Sequence, residues 1–245
     1  MDRGAWNRFK AARERFRLAV ADLEQKLPKL KGLQQKLVDS RAGENSSYTI
    51  ETSVVYNSAL DDVTNSGEIK LILVGDNPGR REQAAENRRY LVGPSGKIAE
   101  NFFRANPAMG IDFRKNVIIL NKTPVHTPRT IELRELCRLG GKPLAEALDE
   151  SQKTMAALLL EFQRALNVPA WIVGYSEMKK GGIFEVYTET LKNLYDMETR
   201  KQLFFFRHFS MNQFTIDLKK QSLPGEPVAK TLNRTGAAYR ERILG

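Results

Sequence analysis

Four short apolar runs, each closed by turn chemistry, constrain this 245-residue chain most: 69–74 (IKLILV), 116–120 (NVIIL), 170–173 (AWIV) and 202–206 (QLFFF). Each is about as long as an average strand and has no polar alternation, as expected when helices cover both faces of a parallel sheet. The stretches between them are long enough for right-handed crossover helices. The best helical candidates are 98–105, 144–166 and 186–197. The middle one carries Leu148, Met155, Leu158, Leu159, Phe162 and Leu166 near helical spacing. The expected fold is α/β, a three-layer αβα sandwich around a mainly parallel four-stranded sheet, with its ligand site beyond the strand carboxyl ends.

The N-terminal segment reads differently. Trp6, Phe9, Phe16, Val20, Leu23 and Leu27 form one helical stripe, and Pro28 interrupts it before a shorter helix through Leu37. Residues 1–45 hold eleven Lys/Arg against six Asp/Glu. They are expected to form a basic helical extension packed on or next to a main domain at 46–245. Residues 48–56 read as an edge strand or an extended arm. The tail, 223–245, holds PGEP and a basic helical stretch that would cover the sheet edge or touch nucleic acid.

The formal net charge of +10 favours polyanion partners. No apolar run reaches membrane-spanning length, and 1–20 lacks the apolar centre of a signal peptide. A single cysteine, Cys137, excludes an internal disulfide framework and a Cys-based zinc or iron–sulfur site within one chain. Cys137 reads as a buried small hydrophobe. The only histidines are His126, which reads as a loop residue or a second pocket histidine, and His208. A cytoplasmic protein without metal or cofactor is the expectation.

The four strand ends carry the chemistry. They are Gly75-Asp76-Asn77-Pro78-Gly79, Asn121-Lys122-Thr123-Pro124, Gly174-Tyr175-Ser176 and Arg207-His208-Phe209-Ser210. Singly, the first is a good turn, Asn121 a strand terminator and His208 a rim histidine. In a parallel sheet they share one rim, so Asp76, Asn77, Asn121 and His208 are expected to face one pocket.

In this order and spacing, from about residue 69 to 214, the pattern resembles the uracil-DNA glycosylase superfamily. GDNPGRREQ…RRYLVGPSG (75–96) is similar to its first motif and the glycine-bearing stretch that follows. NVIILNKTP (116–124) is similar to the strand with the base-reading Asn, WIVGYSEM to the third strand end, and RHFSMNQF (207–214) to the His-containing motif.

The resemblance implies a monomeric hydrolase of base-excision DNA repair, acting on a base flipped out of the stack. Asp76 or Asn77 would act on the attacking water, as a base in the first case and only as an orienting amide in the second. His208 would stabilise charge on the leaving base. Gly75, Pro78, Gly79, Tyr90, Leu91 and Asn121 would form the base pocket, Asn121 offering one donor and one acceptor. Gly93, Ser95, Gly96 and Ser210 would hold phosphates, and Met211, Asn212 or Gln213 would fill the gap left in the duplex.

Leu91 stands where the family's bacterial branch has a stacking aromatic, Phe209 replaces the proline after the motif histidine, and four cluster cysteines are lacking. The target is therefore uracil or another damaged base, in single- or double-stranded DNA. The competing readings are a nucleic-acid-binding protein with this fold and lost or narrowed catalysis, and a hydrolase of free nucleosides or other small molecules, which the basic charge disfavours.

Overall fold

The computed structural model describes residues 1–41 and 47–245. Its centre is an all-parallel sheet of β1 (Leu71–Gly75), β2 (Val117–Asn121), β3 (Ala170–Val173) and β4 (Leu203–Phe206), in the order β2-β1-β3-β4. Every residue of β1, β2 and β3 is buried, which is why their sequences are continuously apolar. The chain leaves β1 towards β2 and then returns to β3 on the other side. The topological switch point therefore lies at β1 and β3, where an open α/β sheet parts to make a crevice.

On one face, α3 (Pro94–Ala105) and α7 (Gln213–Gln221) cover the sheet through aromatic packing. The Trp171 ring stacks on Phe103 at 5.5 Å, and Phe214 packs on Phe206 at 5.3 Å. The C-terminal α8 (Val228–Leu244) lies on β4, with Gly236 tight against Phe204 and Phe206. The basic tail thus covers the sheet margin.

The other layer is organised by α4 (Glu132–Leu166), on which α1 (Arg3–Lys26), α2 (Leu30–Arg41) and α5 (Glu185–Leu194) pack. A short α6 (Met197–Arg200) precedes β4. The α4 helix begins twelve residues before the expected 144–166, bending at Gly141 (φ 68°) just ahead of Pro143.

Asp2 caps α1 by accepting from the Ala5 N–H at 2.7 Å, and Phe9, Phe16, Val20 and Leu23 are buried in the same hydrophobic cluster as the strands. Phe9 meets Phe162 of α4 at 5.4 Å. The helix expected as an extension thus contributes to the central core, and the expected division at residue 45 falls outside the described residues. Residues 48–56 form no strand and make one antiparallel bridge, Val54 to Val125. Among the described residues no helix is long and apolar enough to cross a membrane.

Candidate active site

The carboxyl ends of the strands open into a cleft of about 690 Å³, lined by Asp76, Asn77, Gly79, Leu91, Gly93, Ser95, Asn121, His208, Ser210 and Met211 among others. The structure therefore brings together, at one place, ten of the residues singled out from sequence.

Two glycines make the floor possible. A Cβ on Gly75 would lie 2.5 Å from Asn121 Oδ1, and one on Gly174 would lie 2.4 Å from Asp76 Oδ1. Gly174 also has φ 81°, which disfavours any side chain. Asn121 and Asp76 thus pack where backbone alone leaves room.

Asp76 sits one residue past β1. Its Oδ1 accepts from Lys122 Nζ at 2.5 Å and its Oδ2 from the Thr130 hydroxyl at 3.2 Å. The carboxylate keeps 12% of its side-chain surface exposed. Asn121, the last residue of β2, is 2% exposed, and its Nδ2 has no hydrogen-bond partner. A buried amide N–H without an acceptor costs stability, and such a group at a cleft floor is a ready donor for a ligand.

His208 follows β4 by two residues. Its Nδ1 accepts from the Ser210 N–H at 3.0 Å, so in the neutral ring the proton resides on Nε2. Burial lowers its pKa below the ordinary histidine value; nearby Asp76 opposes this and Lys122 adds to it. His208 is thus a neutral imidazole carrying an N–H donor.

Asn77 lines the cleft, but its amide donates to Thr127 Oγ1 at 2.8 Å and reaches the carbonyls of Val125 and Thr127. Of the two adjacent candidates for acting on water, only Asp76 has a basic oxygen at the cleft.

The second stretch, 88–96, splits its residues between core and cleft. Tyr90, expected to bind the base, is 1% exposed and points into the core, donating its hydroxyl to the Val55 carbonyl at 2.5 Å. Leu91 turns the other way at φ 52° and forms an apolar wall of the cleft. Gly93 precedes α3 without a side-chain cap, leaving first-turn N–H groups near Ser95 to attract an anion. Gly96 is buried against the Leu91 carbonyl, and Pro78 serves through its own carbonyl; neither lines the cleft.

Past Ser210, Met211 is 81% exposed at the cleft edge, and it and Asn212 both hold left-handed φ values of 51° and 57°. Asn212 and Gln213 lie at the start of α7, outside the cleft lining.

Several residues at the site have no role assigned by the sequence reading. Arg80, Arg81 and Arg129 add cationic groups to the cleft. Glu82 is buried and ties two loops together, accepting from the Gly79 N–H at 3.1 Å and the Leu91 N–H at 2.9 Å. Burial pushes its pKa up to about 7.

His126 is fully buried, which fits neither a solvated loop residue nor a pocket histidine. Its Nδ1 donates to the Pro78 carbonyl at 2.8 Å, its Nε2 accepts from the Tyr48 hydroxyl at 2.9 Å, and burial lowers its pKa to about 4. Cys137 is half-buried, its thiol pushed up to about 11 by burial. Among the described residues no group of three His, Cys, Asp or Glu is placed to hold a metal ion.

No protein-family model matches this chain, and no curated protein matches it either.

Proposed function

We propose that the protein is a DNA glycosylase that hydrolyses the N-glycosidic bond of a deaminated or otherwise damaged base in DNA. One observation carries the reading. A single cleft holds a fixed carboxylate at Asp76, an unpaired amide donor at Asn121 and a neutral imidazole donor at His208.

Each group matches a need of the reaction. As the C1′–N bond breaks, its electron pair leaves with the base and positive charge grows on the sugar. Asp76 opposes that charge and accepts a proton from the water whose oxygen bonds to C1′. His208 donates from Nε2 to a base oxygen as negative charge develops, and as a neutral donor it need not lose a full charge to water. Two N–H donors, Asn121 Nδ2 and His208 Nε2, favour a base presenting carbonyl oxygens, which is what deamination creates from an amino group. The arginines and the uncapped α3 terminus suit phosphates, and exposed Met211 suits a base-stack gap. The likeness of 75–96 and 207–214 to the glycosylase motifs supports the same reading.

The test uses labelled single- and double-stranded oligonucleotides bearing uracil, hypoxanthine or xanthine, followed by alkaline cleavage of abasic sites. Scission on at least one substrate is expected, with His208→Ala reducing the rate by ~10²-fold or more, typical of losing a transition-state donor. Salt-sensitive DNA binding with no scission on any substrate would replace this reading with a binding protein.

A further inference from the structure

Lys122 follows β2 directly, and its side chain is fully buried. Its Nζ meets three acceptors: Asp76 Oδ1 and the Val173 carbonyl, each at 2.5 Å, and the Gly75 carbonyl at 3.3 Å. The Phe184 ring lies 4.9 Å from it. The ammonium thus joins the ends of β1, β2 and β3 at the topological switch point. Three donors find three acceptors, and no part of the side chain reaches the cleft. Lys122 is therefore not placed to attack a sugar carbon.

Packing alone does not account for a lysine here. A buried ion pair seldom stabilises a fold more than apolar residues of similar volume would, because both charges lose their water. What this pair provides is orientation. With Oδ1 on Lys122 and Oδ2 on Thr130, the Asp76 carboxylate is held from two sides and keeps its remaining lone pairs towards the cleft.

We propose that Lys122 is a positioning residue, which from behind the cleft holds the Asp76 carboxylate in one orientation towards the substrate. Its catalytic consequence rests on the base-excision reading. Lys122 forms no bond to substrate and gives up no proton in the reaction; it acts through Asp76 alone.

The test compares wild type, Asp76→Asn, Lys122→Met and the double variant, by excision kinetics resolved into kcat and KM and by urea unfolding. Lys122→Met is expected to lower kcat/KM tenfold or more, with the loss falling on kcat and KM staying within about twofold. In the Asp76→Asn background the same change is expected to cost less than twofold, because the carboxylate through which it acts is gone.

In urea, each single variant is expected to have a lower midpoint, and the double variant to recover at least half of the loss seen in Lys122→Met, because no unpaired charge remains. If Lys122→Met does not fold, folding of the double variant is the same recovery. An equal loss of rate in both backgrounds, or a double variant no more stable than Lys122→Met, overturns the proposal. If wild type excises no base, the function reading falls, and the urea comparison alone decides whether Lys122 holds Asp76.

Discussion

The chain's two histidines both sit near strand ends and are both held neutral by burial, yet they are wired in opposite ways. His126 has both ring nitrogens committed, to the Pro78 carbonyl and the Tyr48 hydroxyl, and no exposed surface. His208 has one nitrogen committed, to the Ser210 N–H, and presents the other to the cleft. The two asparagines of the site repeat the contrast. Asn77 donates to Thr127, whereas Asn121 keeps a buried donor without an acceptor. A polar side chain whose hydrogen bonds are complete supports the backbone around it, whereas one left incomplete at a cleft floor is held ready for something that arrives later.

Exchanging the histidines for alanine sharpens that contrast most. His208→Ala is expected to lose ~10²-fold or more in excision rate with little change in unfolding temperature, the cost of a removed transition-state donor. His126→Ala should instead cost ~2 kcal/mol or more in urea unfolding, since it leaves a buried hydroxyl and a carbonyl unpaired, while folded molecules keep their rate within a few-fold. If both variants lose rate equally at equal stability, the distinction fails.

Acid stability separates the knot at His126 from Glu82. The His126 pKa falls from 6.5 to about 4 on folding, so the unfolded chain takes up the proton first, and its contribution is lost as pH falls from 6.5 through 4. Glu82 rises from 4.5 to about 7, so its contribution is present below 4.5 and lost as pH rises through 7. Each is worth about 3 kcal/mol across its window, at ~1.4 kcal/mol per unit. The two oppose each other between pH 4.5 and 6.5. Urea unfolding as a function of pH should therefore show Glu82→Gln losing stability on acidification more steeply than wild type, and His126→Gln less steeply. Parallel profiles in all three would remove these groups from the account.

The asparagines give a smaller version of the first comparison. Asn121→Ala is expected to slow excision about tenfold while leaving stability level or slightly higher, because an unpaired buried donor is removed. Asn77→Ala is expected to cost ~1 kcal/mol and to change the rate less than threefold. A larger rate effect at Asn77 than at Asn121 would shift the catalytic assignment away from Asp76. Smallest of all, Arg129→Ala, at an exposed guanidinium paired with Glu132, should weaken DNA binding a few-fold and reduce the slope of log affinity against log salt by about one.

The strands were legible because burial on both faces leaves continuous apolar runs, and each observed strand lies within about two residues of its run. The start of α3 is hidden in the sequence although Pro94 occupies a favoured first-turn position, because Gly93-Pro94-Ser95-Gly96 also reads as a loop. The first turns of α4 were hidden behind Gly140-Gly141-Lys142-Pro143, which breaks most helices and here only bends one.

At the site, Asp76, Asn121 and His208 stand out in sequence because strand-end positions in a parallel sheet share one rim. Lys122, Glu82 and Thr130 do not, since each has a partner that only the fold brings near: Asp76 for Lys122 and Thr130, 46 and 54 residues away, and Leu91 for Glu82, 9 residues away. Lys122 lies two residues past the apolar run 116–120, and nothing local to it announces a buried ion pair. The resemblance places both Tyr90 and Leu91 in the base pocket, and the left-handed turn at Leu91 sends them to opposite sides.

The most direct test of the central claim is single-turnover release of free base from a lesion-bearing oligonucleotide by wild type and Asp76→Asn. The substitution keeps the shape and removes only the basic oxygen. Release by wild type with a loss of ~10²-fold or more in the variant, at equal DNA affinity, is the predicted result. Equal rates in the two proteins would contradict the assignment of Asp76 as the group that activates water.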